Sequence, residues 1–183
     1  LTPKHHTVLL AAVPKKIVAS LFMTAQLAGL SPLLLEPGIM CLFRWIQYYY
    51  DISDKNTLIL DLGVESSNIL IATGGQPFIA RTVLVTLDGI EGKQKMMAEI
   101  RRSLDFIQTH NHIGWEWYCF YVAQEIQEAM DSLLVTALEK DLNMTVQRLA
   151  IEPSLNIDST VFAHGIGLSL GWQGGVNKHY GSK

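Results

Sequence analysis

The sequence predicts a mixed α/β fold, on three observations. At 183 residues and 49% hydrophobic composition, the chain can bury a substantial core. Apolar runs of strand length alternate with longer stretches whose apolar residues recur at helical spacing. Between residues 57 and 87 three strand-like runs follow one another across short glycine-bearing turns, and the alternation then resumes.

Residues 7–13 (TVLLAAV) read as a short strand, and Pro14 fits the first turn of a helix because its φ is already fixed there. In that helix Ile17, Val18, Leu21, Phe22, Ala25 and Ala28 share a face, and Gly29 stands at the C-terminal cap. Residues 31–36 (SPLLLE) predict a buried strand, and Pro37 opens a helix carrying Ile39, Met40, Leu42, Phe43 and Ile46. This is a β-α-β-α unit ending near Tyr50. The polar, aperiodic stretch 51–56 (DISDKN) is a linker.

Beyond it, residues 57–62, 68–73 and 77–87 form an antiparallel meander, turning at 63–67 and at Gly74-Gly75. A helix over 91–110 presents Met97, Ile100, Leu104 and Ile107 to the meander and Arg101 and Arg102 to water. The aromatic run 117–122 (WYCFYV) is a strand, followed by a helix over 124–142 with Ile126, Met130, Leu133, Leu134, Ala137 and Leu138 inward. A strand over 144–150 and a helix over 159–170, in which Ala163, Gly165 and Gly167 permit close packing, complete the pattern. The domain expectation is a first domain over 1–50, a linker over 51–56, a second domain over 57–171 and a loose tail over 172–183.

With 14 Lys and Arg against 17 Asp and Glu, and no basic stripe, the charge gives no footprint for nucleic acid. Cys41 and Cys119 lack CxxC spacing and sit in apolar company, which reads as reduced core residues in a cytosolic setting. No apolar run approaches the roughly 18 residues that span a bilayer. Contact with a membrane is expected only through partners. The chain starts at Leu1 in what already reads as mid-domain structure, and the expectation is a fragment lacking an N-terminal part.

A three-strand meander followed by alternating helices and strands is the order of the actin-like, ribonuclease H-like fold. The residues LILDLGVESSNILIATGGQPFIARTV, with Asp61-Leu62-Gly63, Ser66-Ser67 and Gly75-Gln76-Pro77, resemble the start of the second actin-like domain in the PilM/MshI/GspL family of type IV or MSHA pilus and type II secretion assembly proteins. AEIRRSLDFIQTH over 98–110 resembles the family's next helix, VPKKIVASLFMTAQLAGLSPLLLEP the end of its first domain, and AHGIGLSLGW its closing helix. The resemblance implies the end of a first domain plus a second domain with a mixed sheet flanked by helices. It further implies a cytoplasmic scaffold, peripheral to the inner membrane, that binds the cytoplasmic tail of a PilN-like inner-membrane protein and links it to the pilus motor ATPase. A second copy of the chain is a further candidate partner.

In the wider superfamily an acidic-x-Gly turn offers backbone N–H groups to phosphate while its carboxylate helps to hold hydrated Mg²⁺. Asp61, Gly63, Ser66, Ser67 and Asn68 are placed for that role. The same residues also describe an ordinary hairpin, with Gly63 supplying the turn and the serines satisfying its backbone. ATP-binding relatives carry a Gly-Gly pair after the aromatic strand, where this chain has Ala123-Gln124, so a side chain stands where adenosine would approach. The reading is a vestigial phosphate turn, no ATP or Mg²⁺ cofactor and no enzymatic activity. The alternative is an ATP-dependent phosphotransferase or ATPase of the actin and sugar-kinase superfamily.

A ribonuclease H-like nuclease would need Asp61, Asp88 and Glu99 to converge on metal ions, but Asp88 reads as a turn residue and Glu99 as a solvated helix charge. His5-His6 and His110/His112 lack the companions of a metal site. Trp115, Trp117, Tyr118, Phe120 and Tyr121 crowd one strand and read as core. Tyr48, Tyr49 and Tyr50 end a helix and cannot all point inward, which makes them a candidate partner contact.

Overall fold

The computed structural model describes residues 10–110, 116–123, 128–149 and 159–173. The chain divides into two compact units, residues 1–37 and 38–183. The first contains helix α1 (Lys15–Leu27), which buries none of its side chains. The helix closes on a Schellman arrangement in which Leu30 N–H donates to the Ala25 carbonyl and Gly29 N–H to the Gln26 carbonyl.

The strand expected over 31–36 is absent, and residues 10–13 of the other expected strand are irregular, residues 7–9 lying outside the described residues. A strand needs a ladder. Among the described residues of this unit there is no second strand to supply one, and Pro32 has no N–H to donate.

The second unit is a three-layer α/β sandwich. Its elements are α2 (Gly38–Tyr49), β1 (Asn56–Leu62), β2 (Ser67–Thr73), β3 (Gln76–Val83), α3 (Gly89–His110), β4 (Trp117–Ala123), α4 (Glu128–Asp141), β5 (Met144–Arg148) and α5 (Ser159–Gln173). The polar stretch 51–55 is a loop inside this unit, between α2 and β1. The five strands are ordered β3-β2-β1-β4-β5. β1 pairs antiparallel with β2, β2 antiparallel with β3, and the pairs β1–β4 and β4–β5 are parallel. The sheet is therefore mixed, as the meander followed by helix crossovers requires.

Alternation along β1 divides the core. Leu58, Leu60 and Leu62 face the layer of α3 and α4, where Met96, Ile100, Ile107, Leu134 and Leu138 close over them. Ile59 faces the opposite layer of α2 and α5, with Leu42, Phe43, Ile46 and Ala163. Both faces of the sheet are covered, which is why its central strands read as continuous apolar runs. Gly74 and Gly75, both at positive φ, form the two-residue turn between β2 and β3 that matches strand twist.

β3 ends at Val83, four residues short of the expected 87, because residues 84–88 run irregularly into α3 and Leu84 is exposed. Leu133, expected inward, is also exposed, while Leu134, Ala137 and Leu138 of the same helix are buried. Ile126 and the Met130 side chain lie outside the described residues. Cys41 and Cys119 are free and buried, and burial pushes the Cys119 thiol far above its ordinary pKa. No helix among the described residues is long and apolar enough to cross a membrane.

Helices α2 and α5 touch at backbone distance. A Cβ on Gly167 would overlap the Cys41 carbonyl, and one on Gly171 would lie 2.6 Å from the Arg44 guanidinium. Ala163, Gly167 and Gly171 recur every four residues and so form the row along which α5 meets α2. Arg44 spans the contact, its Nη1 donating to the Gly167 carbonyl at 2.9 Å. Gly165, grouped with these residues in the sequence, faces open space instead.

Candidate functional site

The five residues of the predicted phosphate turn do not gather at one point. β1 delivers Asp61 to the α2/α5 face at the carboxyl end of the central strand, where α/β sheets place their ligands. Its cross-strand partner Asn68 faces the same way, and Asn68 Nδ2 donates to Asp61 Oδ2 at 2.9 Å. Ser67, one residue earlier on β2, falls by alternation on the α3/α4 face, where it is fully buried with no hydrogen-bond partner for its Oγ among the described residues. Ser66 and Gly63 close the turn itself.

Gly63 is needed there for room, since a Cβ would stand 2.6 Å from the Ser66 carbonyl oxygen. Gly63→Ala is expected to cost about 1 kcal/mol through displacement of that carbonyl, read as a fall in urea midpoint without a change in slope.

The residue missed from the sequence is His164. It comes from α5, 103 positions along the chain, and its Nε2 lies 3.2 Å from Asp61 Oδ2. An ionised Asp61 only accepts, so Nε2 carries the proton and donates. The imidazole also lies against the start of α2, where a Cβ on Gly38 would come within 2.9 Å of its Cδ2. On the far side Thr82 Oγ1 of β3 donates to Asn68 Oδ1 at 2.7 Å. The result is a polar chain, His164–Asp61–Asn68–Thr82, running across one end of the sheet. Burial opposes ionisation of Asp61, but the hydrogen bonds from His164 and Asn68, with the His164 charge, outweigh it and hold its pKa below the usual 3.8.

The Asp61 carboxylate is 12% exposed, one of its oxygens already serves two protein donors, and Ser67 points through the sheet. At the carboxyl end of β4 a second polar group forms on the other face. Tyr121 Oη donates to Asp131 Oδ2 at 3.2 Å and Arg148 Nη1 pairs with the same oxygen at 3.2 Å. Burial and the Asp131 charge push the Tyr121 phenol up to about 12. Ala123, which follows on β4, is buried, and Gln124 lies outside the described residues.

The nuclease carboxylates stay apart. Glu99, on the helix that covers the other face, pairs with Arg81 and Arg102, and Asp88 accepts from Gly92 N–H through its backbone. Among the described residues no group of three His, Cys, Asp or Glu side chains could hold a metal. His5, His6 and His112 lie outside the described residues. Trp117, Phe120 and Tyr121 are core on the two faces of β4, and Trp115 is outside the described residues. Of the tyrosine trio, Tyr50 packs on Phe120 while Tyr48 and Tyr49 are exposed.

No protein-family model matches the chain, and no curated protein matches it. Among solved structures, a chain of a PilM-PilN type IV pilus biogenesis complex is similar over 87% of this chain and 58% of its own length, with a TM-score of 0.60 and 19% identity. A Bacteroides thetaiotaomicron protein with an actin-like ATPase fold and unknown function aligns over 69% of this chain and 43% of its own, with a TM-score of 0.46 and 9% identity. The chain thus spans less than two thirds of either structure. The first likeness and the strand order together give the fold as actin-like.

Proposed function

We propose that the chain works as an actin-like scaffold of type IV pilus biogenesis, of the PilM, MshI or GspL kind. It binds the cytoplasmic tail of a PilN-like inner-membrane protein, lies at the cytoplasmic face of that membrane and links the tail to the assembly motor. The observation that carries this reading is the fold shared with a chain of the PilM-PilN complex. The site supports a non-enzymatic role, because Asp61 Oδ2 is held by Asn68 and His164 rather than turned to a nucleotide. The rival reading is an ATP-dependent enzyme of the same fold.

The test has two arms. An immobilised cytoplasmic tail of the inner-membrane pilus protein should retain the chain, and its failure to do so overturns the scaffold. Calorimetric titration with Mg-ATP should show no saturable heat at micromolar nucleotide; binding and turnover that both vanish in Asp61→Ala would establish the enzyme instead.

A further inference from the structure

One edge of the sheet is open. β3 pairs with β2 on one side and, among the described residues, with no strand on the other. A strand so placed presents a row of main-chain donors and acceptors to water, and proteins guard such edges with proline, bulges, charge or brevity. β5, at the opposite edge, is five residues long and ends on Arg148. β3 carries its guards at its first end only. Pro77 has no N–H to donate, and the register with β2 shifts between Ile71 and Ala72, which leaves Phe78 as the extra residue of a bulge.

From Ile79 onward the edge is unguarded. Between Ile79 and Leu84 the one charge is Arg81, and Glu99 of α3 engages it. Ile79 and Val83 share its face of the sheet and pack into the core under α3. Ala80 and Thr82 face the other way, Thr82 toward Asn68, and both are exposed beside a layer that lies over β1, β2 and β4. Leu84, one residue past the strand, is 88% exposed.

We propose that a second copy of the chain occupies this edge, the two β3 strands pairing antiparallel about Thr82 so that two sheets become one. The chemistry of the edge selects an extended segment, since only another strand answers a row of backbone donors and acceptors. Its sequence selects a copy of itself. In a two-fold pairing about Thr82, that residue meets its own counterpart, Ala80 meets Leu84 of the second copy and Arg81 meets Val83. Small then opposes large, the exposed leucine is covered and no like charges stand opposite each other. Because β5 is guarded, the pairing closes at two copies rather than running on. The inference does not rest on the scaffold reading.

The test is sedimentation velocity of the 183-residue chain across micromolar concentrations. The parent chain should form a dimer. Ala80→Lys combined with Leu84→Lys sets like charges against each other twice in the pairing and should weaken association about tenfold. Ala80→Lys combined with Leu84→Glu sets opposite charges there and should dimerise as the parent does. Both positions are exposed, so melting temperatures close to the parent's will confirm intact folding.

A parent chain that stays monomeric overturns the proposal. So does association untouched by the two lysines, or not restored by the lysine and glutamate together. A monomeric parent whose retention on the immobilised pilus tail is lost in the double-lysine variant overturns the second copy and assigns the edge to the tail.

Discussion

Gly167→Ala is expected to destabilise the chain by about 2–4 kcal/mol, a fall in melting temperature of roughly 6–12 °C for a chain of this size. The added methyl would overlap the Cys41 carbonyl of the facing helix, and backbone cannot rotate away as a side chain can. Either α5 lifts from α2 or both helices shift against the sheet. Lifting would also strip Ala163 from its fully buried place and lengthen the Arg44 bond to the Gly167 carbonyl. Gly165→Ala, two residues away with open space at its Cβ, is the matched control. It should be neutral or stabilising by up to about 1 kcal/mol, since alanine favours a helix over glycine. Equal melting temperatures for the two variants would refute this account of the helix contact.

The second large effect is expected at Asp61. Asp61→Ala removes the acceptor of two donors in a nearly closed site and should cost about 1–3 kcal/mol. His164→Ala should cost less, because the carboxylate keeps its bond from Asn68. The two losses should not add. A double-mutant cycle is expected to return a coupling of about 1 kcal/mol, and a coupling near zero would mean that the Asp61–His164 contact does not contribute.

The same pair sets a pH dependence. The folded-state pKa of Asp61 lies below the usual 3.8, so the folded form binds its proton less readily than the unfolded chain does. That stabilisation is fully present above the usual Asp value and is lost as pH falls through the depressed one. The difference in unfolding free energy between the parent chain and Asp61→Asn should therefore shrink below about pH 4. A difference that stays constant down to pH 2.5 would show the carboxylate to be unperturbed.

Most of the second unit was legible because its local signals agree. Apolar runs bounded by glycine turns placed β1 and β2 to within a residue, and Met97, Ile100, Leu104 and Ile107 marked the buried side of α3. The strand expected over 31–36 shows the limit of that reading. Three consecutive leucines fit a buried strand, but strand formation depends on a partner that periodicity does not supply.

The site was half legible. Asp61 and Gly63 stood out by spacing, and Tyr48 and Tyr49 by crowding, because those cues are local. His164 was invisible since its meaning depends on α5 crossing to the sheet face where Asp61 points. One signal was present: a single titratable residue in an apolar helix, one position after the first member of the row Ala163, Gly167, Gly171. That the Ser67 side chain lies on the face opposite Asp61 and Asn68 was hidden for a simpler reason. Adjacent residues in a strand face opposite ways, and a motif read as a string ignores that.

The contact between α2 and α5 also bears on how the second unit would carry load. Chain tension arriving at Gly38 would enter α2 first, and α2 is held both by α5, through Gly167, Gly171 and Arg44, and by the sheet, through Leu42, Phe43 and Ile46. Helix α2 has no strand hydrogen bonds of its own, so a pull along the chain would test its side-chain packing and the α2–α5 seam before it reached the strand ladders. A pull on this chain would reach those packed contacts before the ladder of β1 between β2 and β4.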